Sequence, residues 1–287
     1  MLPEFEYYRP SSVKEAVDLL SRLGPEARVI AGGTDLIVKM RGGLIKPKCI
    51  VDITRLDEIK FIRDEGEVIR VGAGTLLSDI EESEIIGEGV PVLREAVKKM
   101  ASWHVKNMAT IGGNLCNASP AADTAPPLIV HEARLKIRGP GGEREVPVEE
   151  FFTGPGETVL MPGELLTEII VPKARPGEGA SFQKLMVREG ALAIVSAAAL
   201  VKLDGGTVSK VRVALGAVAP TPVRAKHVES ALQGREPTPE VLREASKEVL
   251  QDISPITDVR GSREYRLEMS VVMTRRALEE AIARAGG

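Results

Sequence analysis

The sequence predicts an α+β fold built from two domains. At 287 residues the chain is long enough for more than one hydrophobic core, and its 43% apolar and 28% charged residues are typical of globular proteins. Strand patterns come first and helical patterns later, which favours α+β over a doubly wound sheet. A break rich in proline and glycine at residues 172–179 separates a predicted first domain, residues 1–175, from a second, residues 178–287.

The first domain begins with short strands and helices in alternation. Ser12 and Glu15 form a capping box that predicts a helix ending at Gly24. A helix after Gly74 is expected to be capped by Thr75 or Ser78. Apolar patterning predicts strands at residues 4–8, 28–31, 49–53 and 68–73, a helix at 91–102, and a helix or strand at 35–40.

Later segments complete the predicted elements. Residues 128–130 and 134–137 are β-like, glycines at 139–142 predict a hairpin turn, and residues 165–171 are the last strand of the first domain. In the second domain, Asp204-Gly205-Gly206 predicts a hairpin between residues 191–203 and 208–218. Helices are expected at residues 223–232, 239–250 and 262–285, with Thr238 as an N-cap.

Charge and hydropathy exclude several functional classes. The net charge is −3 and the basic residues are scattered among acidic ones, which disfavours nucleic-acid binding. The sequence has no apolar run of about 18 residues, so we expect no transmembrane segment. The N-terminus lacks the pattern of a secretory signal peptide, and a cytoplasmic location is the expectation.

Cysteine and histidine are too few and too scattered for a metal centre. Cys49 and Cys116 cannot supply the four thiolates that an iron–sulfur cluster normally takes. His104, His131 and His227 share no metal-ligand spacing, so we predict no metal site. Any redox chemistry of this chain must therefore use an organic cofactor.

Two glycine-rich segments have the same layout: an apolar stretch, Gly-Gly, and then a small polar side chain. The first glycine segment, residues 31–35, reads Ala-Gly-Gly-Thr-Asp, and the second glycine segment, residues 110–114, reads Thr-Ile-Gly-Gly-Asn. Paired glycines let a ligand approach the backbone, so the N–H groups of both segments could bind one diphosphate. Either segment taken alone is also typical of an ordinary turn. Neither matches a dinucleotide-binding Rossmann or P-loop sequence.

The two segments together with Ala118-Ser119-Pro120-Ala121-Ala122-Asp123 resemble the flavin-binding subunits of the molybdenum hydroxylases, the family of xanthine dehydrogenase and aerobic carbon monoxide dehydrogenase. The resemblance covers nearly the whole chain. It implies an FAD-binding domain with two subdomains, of the vanillyl-alcohol-oxidase-like type, followed by a small C-terminal domain with an antiparallel sheet and helices. It also implies that the chain is an oxidoreductase subunit with FAD as cofactor.

The resemblance assigns cofactor-binding positions residue by residue. Asp123 would accept a hydrogen bond from a ribose or ribityl hydroxyl, Leu166 would meet the flavin ring through its backbone, and Lys184 would reach the flavin from the second domain. The full set is Val29, Ile30, Ala31, Gly32, Gly33, Thr34, Asp35, Leu36, Met100, Thr110, Ile111, Gly112, Gly113, Asn114, Ser119, Asp123, Leu166 and Lys184. No catalytic acid or base is assigned.

Several of these residues have a plainer interpretation. Asp123 could cap the turn before Pro126 and Pro127, and Met100 could be helix core. Lys184 and Arg188, four positions apart, would form a solvated basic face if they lay on a helix, whereas in the family this pattern reaches back to the flavin. Cys116 lies close to the second glycine segment and is expected to be an inert thiol.

In the family, this subunit passes electrons from a small subunit with two [2Fe-2S] clusters to an external acceptor, and a large molybdopterin subunit oxidises the substrate. Thr34 and Asp35 stand where carbon monoxide enzymes of the family have His-Ser, which favours an aldehyde, aromatic or N-heterocyclic substrate for the complex. Two alternatives stay open: a stand-alone FAD-dependent oxidoreductase of the same cofactor fold, and a binding protein for another diphosphate ligand.

Overall fold

Three sheets and one short ribbon organise residues 2–286, which the computed structural model describes. The strands are β1 (Glu6–Tyr8), β2 (Ala27–Ile30), β3 (Cys49–Asp52), β4 (Ile62–Asp64), β5 (Val68–Gly72), β6 (Arg134–Gly139), β7 (Gly142–Pro147), β8 (Phe152–Gly154), β9 (Glu157–Thr158), β10 (Leu165–Pro172), β11 (Glu178–Leu185), β12 (Val195–Asp204), β13 (Thr207–Gly216) and β14 (Val223–Arg224). The helices are α1 (Val13–Leu23), α2 (Leu36–Arg41), α3 (Leu77–Glu82), α4 (Glu84–Gly89), α5 (Pro91–Lys98), α6 (Trp103–Lys106), α7 (Ile111–Cys116), α8 (Ala125–Val130), α9 (Lys226–Leu232), α10 (Pro239–Lys247) and α11 (Arg263–Ala285).

The N-terminal subdomain is a parallel sheet in the order β1-β3-β2, with α1 as the crossover from β1 to β2. The predicted cap is confirmed, because Ser12 Oγ accepts a hydrogen bond from the Glu15 N–H and Gly24 ends the helix. The chain leaves β2 at Ile30 and enters the first glycine segment directly. The end of a buried strand thus fixes where this segment begins.

The second subdomain is a five-stranded sheet in the order β4-β5-β10-β6-β7, and α3 to α8 pack beside it. The predicted hairpin is confirmed, with β6 and β7 pairing through Gly139 and Gly142. The β10–β6 ladder shifts register between Leu166 and Glu168, which is the signature of a β-bulge. Bulges are common next to binding sites because they change where neighbouring groups point.

The C-terminal part is an antiparallel sheet in the order β11-β12-β13-β14, covered by α9, α10 and α11. Gly205 and Gly206 both have positive φ in the tight turn between β12 and β13, as the Asp-Gly-Gly sequence predicts. Thr238 and Ser262 cap α10 and α11 through their side chains. No helix within residues 2–286 is long and apolar enough to cross a membrane.

The two parts of the chain share a hydrophobic core. Phe182 and Leu200 of the C-terminal sheet belong to the same buried cluster as Val71, Leu93 and Ile169 of the second subdomain. A second cluster lies between the C-terminal sheet and its helices, and a third fills the N-terminal subdomain. The domain boundary between residues 175 and 178 stays a prediction, because shared packing does not tell whether either part folds alone.

Several sequence-based expectations are wrong. The helix expected at residues 223–232 begins only at Lys226, because Val223–Arg224 form strand β14 beside β13. Residues 128–130 belong to helix α8 rather than to a strand, because Pro126 and Pro127 occupy its first turn, where their missing N–H groups are not needed. Their apolar run is fully buried, and a short buried run does not distinguish helix from strand. Neither Thr75 nor Ser78 caps α3, since the Thr75 hydroxyl instead exchanges hydrogen bonds with the Phe61 backbone.

The structure also excludes one of the two alternatives for Lys184 and Arg188, a solvated basic face on a helix. Residues up to Leu185 extend strand β11, and the Lys184 side chain is only 1% exposed. Arg188 lies beyond the strand and is exposed. The helical spacing of the two residues is therefore a coincidence of sequence.

Candidate functional site

A cavity of about 610 Å³ lies where the two N-terminal subdomains and the C-terminal part meet. This volume is within the range of about 300–1,000 Å³ typical of small-molecule and cofactor sites. The cavity brings together sixteen of the eighteen residues that the sequence resemblance assigns. These are Val29, Ala31, Gly32, Gly33, Thr34, Asp35, Leu36, Met100, Thr110, Gly112, Gly113, Asn114, Ser119, Asp123, Leu166 and Lys184.

The remaining two assigned residues do not line the cavity. Ile30 ends strand β2, and its side chain is beside Gly33. Ile111 is fully buried in the hydrophobic core at the start of α7.

The first glycine segment touches the backbone of residues 108–109, just before the second segment. A Cβ atom placed on Gly32 would lie 1.9 Å from the Met108 carbonyl oxygen and 2.9 Å from Ala109 Cα, so only glycine allows this approach. A second contact joins the helices that follow the segments, because Lys39 Nζ on α2 donates to Asn117 Oδ1 at the end of α7 over 2.6 Å. The segments therefore form two adjoining walls of one cavity.

The first glycine segment carries a row of uncommitted backbone donors. Among the residues that the structure describes, no acceptor is within hydrogen-bond reach of the N–H groups of Gly32, Gly33, Thr34, Asp35 and Leu36. All five residues line the cavity. Successive free N–H groups form a concave positive surface that suits a phosphate group.

The second glycine segment contributes differently from the sequence interpretation, which gave its backbone the same role. The N–H groups of Ile111, Gly112 and Asn114 donate to Thr75, Ala73 and Thr110 carbonyls, and that of Gly113 donates to Thr110 Oγ1. The bonds of Gly113 and Asn114 belong to the first turn of α7, which Thr110 caps, whereas those of Ile111 and Gly112 join the segment to residues 73–75 after β5. Side chains are what this segment offers to a ligand.

Asn114 and Thr110 are the polar side chains of that segment. Asn114 Oδ1 accepts a hydrogen bond from the Thr124 hydroxyl over 2.6 Å, which leaves its amide N–H₂ as the free donor. Thr110 Oγ1 accepts from Gly113 and keeps its own O–H to donate. Both groups line the cavity beside the free N–H row.

A buried ion pair joins the first domain to the C-terminal part at the cavity wall. Lys184 Nζ on β11 lies 2.7 Å from Asp123 Oδ2, with exposed side-chain fractions of 1% and 4%, and also donates to the Lys99 carbonyl over 3.0 Å. Asp123 Oδ1 is buried and has no hydrogen-bond partner among the described residues. Burial raises the pKa of Asp123 to about 6 although Lys184 opposes the rise, so the carboxylate is ionised at neutral pH.

The orphaned Asp123 oxygen is the strongest sign of a missing ligand group. A buried polar atom without a partner costs free energy. A ligand in the cavity would remove this cost if one of its hydroxyl groups donated a hydrogen bond to the oxygen. A ligand that places an anion at the first glycine segment and a hydroxyl at Asp123 fits the donors and acceptors present. FAD has both groups, and the residues therefore fit the cofactor that the sequence implies.

The rest of the assigned lining is mostly apolar. Met100 is both core and cavity lining, so the two interpretations of this residue hold together. Leu166 lies in β10 beside the bulge. Glu164 also lines the cavity, but Arg144 binds its carboxylate through two hydrogen bonds of 2.7 Å and lowers its pKa, so its charge is already compensated.

Sequence reasoning missed several lining residues. Lys39 is four residues past Asp35 on α2, and this helical spacing was the one signal that could have placed it near the segment. Gly190, Ala191 and Leu192 enter the cavity from the loop after β11, and no sequence motif marks them. Other lining residues are Arg28, Ile45, Ile53, Ala73, Leu77, Ala101, Val105, Ala109, Cys116, Asn117, Ala121, Ala122, Gly156, Leu160 and Leu165.

Cys116 lies on the cavity wall as an unreactive group. Burial raises the pKa of its thiol to about 12, so the thiolate is not populated near neutral pH. Within residues 2–286 no group of three or more His, Cys, Asp and Glu side chains is placed to hold a metal ion.

Comparisons with known proteins agree along the whole chain. Residues 3–174 match the family model described as the FAD binding domain in molybdopterin dehydrogenase, and residues 180–281 match the CO dehydrogenase flavoprotein C-terminal domain. The chain is 38% identical to the carbon monoxide dehydrogenase medium chain of Hydrogenophaga pseudoflava, with 98% of each chain covered. It is 34% identical to the xanthine dehydrogenase FAD-binding subunit of Escherichia coli O157:H7, covering 98% of this chain and 97% of that subunit.

Solved structures have the same architecture. The structure of carbon monoxide dehydrogenase from Hydrogenophaga pseudoflava that lacks the Mo-pyranopterin moiety contains a chain that superposes with a TM-score of 0.97 at 38% identity, covering 99% of both chains. A chain of quinoline 2-oxidoreductase from Pseudomonas putida 86 gives a TM-score of 0.94 at 28% identity, again covering 99% of both. The chain therefore belongs to the family of FAD-binding subunits of molybdenum-containing oxidoreductases, and its cofactor is FAD.

Proposed function

We propose that this chain holds FAD in the cavity between its domains and passes electrons from a partner's iron–sulfur clusters to an external acceptor. The observation that carries the proposal is the row of free N–H groups at residues 32–36, which shares one cavity with the unpaired Asp123 oxygen. Bound FAD supplies the redox chemistry, accepting electrons from one donor and giving them to another. The work of the chain's own residues is to bind and orient it.

The first glycine segment binds the pyrophosphate in this proposal. Its five free N–H groups donate to the phosphate oxygens, and the Asn114 amide and Thr110 hydroxyl donate from the adjoining wall. Lys39 adds a positive charge at the same end of the cavity. Asp123 accepts a hydrogen bond from a hydroxyl group of the cofactor. Lys184 holds the carboxylate in place and provides a positive charge near the flavin.

Partner subunits follow from the same reasoning. The chain has two cysteines, fewer than the four thiolates that an iron–sulfur cluster takes, and it spans nearly the full length of relatives that are named as medium chains or FAD-binding subunits. We therefore infer a heterotrimer with a small [2Fe-2S] subunit and a large molybdopterin subunit. The external acceptor is NAD⁺, a quinone or oxygen, and the cytoplasmic location stays a prediction.

The first experiment separates an electron-transfer subunit from a stand-alone oxidoreductase. The purified chain is expected to be yellow and to release FAD in acid, yet to show no turnover with aldehydes or N-heterocycles when NAD⁺, a quinone or oxygen is present. Adding a reduced [2Fe-2S] subunit from the same complex is expected to bleach the flavin absorbance. Substrate turnover by the chain alone would favour the stand-alone alternative.

The affinity for FAD is expected to fall on acidification through about pH 6. The pKa of Asp123 is raised to about 6, and a hydroxyl binds an ionised carboxylate more strongly than a protonated one, so FAD binding favours proton release. Hydrogen bonds to charged groups are worth about 1 kcal/mol more than neutral ones, which with a pKa of about 6 corresponds to roughly a three- to fivefold rise in Kd between pH 7 and pH 5. Titration of the apoprotein with FAD, followed by flavin fluorescence, measures it.

The stability of the apoprotein should change in the opposite direction. Because the pKa of Asp123 is higher in the folded than in the unfolded chain, this residue's contribution to stability is largest below about pH 4 and declines as pH rises through about 6. In the Asp123→Asn variant, neither the affinity for FAD nor the stability of the apoprotein should change with pH around pH 6. An unchanged profile in that variant would mean that another group controls the binding.

A further inference from the structure

Arg266 is a buried arginine on α11 that does not line the cavity. The residue is 3% exposed, and its guanidinium group binds three acceptors. Nη1 donates to the Ile194 carbonyl over 2.6 Å and to the Ala217 carbonyl over 2.7 Å, while Nη2 donates to Asp258 Oδ1 over 2.7 Å. One side chain thus connects the start of β12, the end of β13 and the loop before α11.

The Ala217 contact leads to the cavity wall that contains Asp123. Ala217 has a φ of +66°, a conformation that non-glycine residues rarely adopt, so its surroundings must hold it there. Its N–H donates to the Pro120 carbonyl over 2.7 Å. Pro120 lies between Ser119 and Asp123, both of which line the cavity. The position of this wall is therefore tied to the carbonyl that Arg266 binds.

The Ile194 contact leads to the part of the cavity lining that contains Lys184 and Leu192. The Ile194 N–H donates to the Leu185 carbonyl over 2.8 Å, and this bond closes the loop between β11 and β12. The loop brings Gly190 to Leu192 to the cavity, and Leu185 directly follows Lys184. Both partners of the buried ion pair are thereby connected to the same guanidinium group.

We propose that Arg266 is a positioning residue for FAD: it fixes the Ala217 corner and the Ile194 end of the loop, and through them sets the spacing of Asp123, Lys184 and Leu192 around the cofactor. This inference rests on the proposed FAD site. Arginine suits the role because its planar fork reaches two carbonyl groups and one carboxylate at the same time. Hydrogen bonds from the Arg260 N–H and from Arg266 outweigh the effect of burial and lower the pKa of Asp258 to about 2, so the pair stays ionised across the useful pH range.

The test compares Arg266→Ala with a variant that is only destabilised. Leu278→Ala removes a fully buried side chain from the same helix, in the core that lies away from the cavity. Both variants should unfold at a lower temperature than the wild type. Only Arg266→Ala should raise the Kd for FAD, by roughly tenfold or more, because displacement of Asp123 and Lys184 would cost about one charge-assisted hydrogen bond to the cofactor. It should also change the visible circular dichroism of bound FAD.

Chemical rescue provides a readout that a general loss of stability would not move. Guanidinium chloride at low millimolar concentration should restore part of the FAD affinity of Arg266→Ala, whereas sodium chloride at the same ionic strength should not. Should Arg266→Ala fail to fold, Arg266→Lys and Asp258→Asn give the same comparison, with smaller increases in Kd expected. The proposal is overturned if the Arg266 variants bind FAD with the wild-type Kd and spectrum, or if Leu278→Ala changes them equally. If the wild-type chain does not bind FAD, the proposed function itself is overturned.

Discussion

Replacing Gly32 by alanine is expected to remove tight FAD binding and to destabilise the protein. The added Cβ would lie 1.9 Å from the Met108 carbonyl oxygen and 2.5 Å from its carbon, so two stretches of backbone must move apart. Overpacking of this kind costs about 1–3 kcal/mol of stability, and more where only backbone can yield. A shift of about 1 Å in a binding group can cost roughly 100-fold. FAD titration and urea unfolding of the variant measure the two effects.

Gly43→Ala is the matched control for this variant. Gly43 has a φ of +71°, and no atom lies within 4 Å of the position that an added methyl group would take, so the alanine adds backbone strain of about 1–2 kcal/mol without a clash. It does not line the cavity. We expect lower stability with an unchanged Kd for FAD. Equal FAD affinity in Gly32→Ala and the wild type would contradict the role of the contact between Gly32 and the backbone of residues 108–109.

The elements that local chemistry specifies could be predicted from the sequence. The α1 cap at Ser12 and the β12–β13 turn at Gly205 and Gly206 depend on residues within a few positions of each other, and both are confirmed. The strand prediction for residues 128–130 failed because a short, fully buried apolar run has no periodicity that distinguishes a helix from a strand. The short strand β4 was missed, since its three residues gain their stability from pairing with β5.

Some site residues could likewise be predicted from the sequence, whereas others are brought together only by the fold. The glycine segments could be located because their spacing is visible in sequence, and the resemblance extended them to Asp123 and Lys184. That Asp123 and Lys184 bind each other could not be predicted, because 61 positions separate them and they lie in different sheets and loops of the fold. The loop residues Gly190 to Leu192 enter the cavity through the pairing of β11 with β12, which no local motif encodes.

Lys184→Met is expected to unbalance the buried ion pair and to release FAD. Removing one partner of a buried pair leaves an uncompensated charge and typically costs about 3–5 kcal/mol. Burial raises the pKa of Asp123 and Lys184 lowers it, so without the lysine this pKa should rise above its wild-type value of about 6. The carboxyl group then becomes protonated closer to neutral pH, and the hydrogen bond that it accepts from a cofactor hydroxyl becomes weaker. Urea unfolding and FAD titration between pH 5 and pH 8 measure both changes.

Two further variants separate charge from packing. Lys173→Met removes a partner of a much more exposed ion pair, in which Lys173 Nζ lies 2.6 Å from Asp64 Oδ2, so it should cost about 0–1 kcal/mol and leave FAD binding intact. In the double variant Asp123→Asn with Lys184→Met no unpaired charge stays buried, and stability should largely recover while FAD affinity does not. The stability that Lys184→Met loses and the double variant recovers is then the cost of an isolated carboxylate. The FAD affinity that both variants lose is the contribution of the ion pair to cofactor binding. Full recovery of FAD affinity in the double variant would show that the pair only holds the domains together.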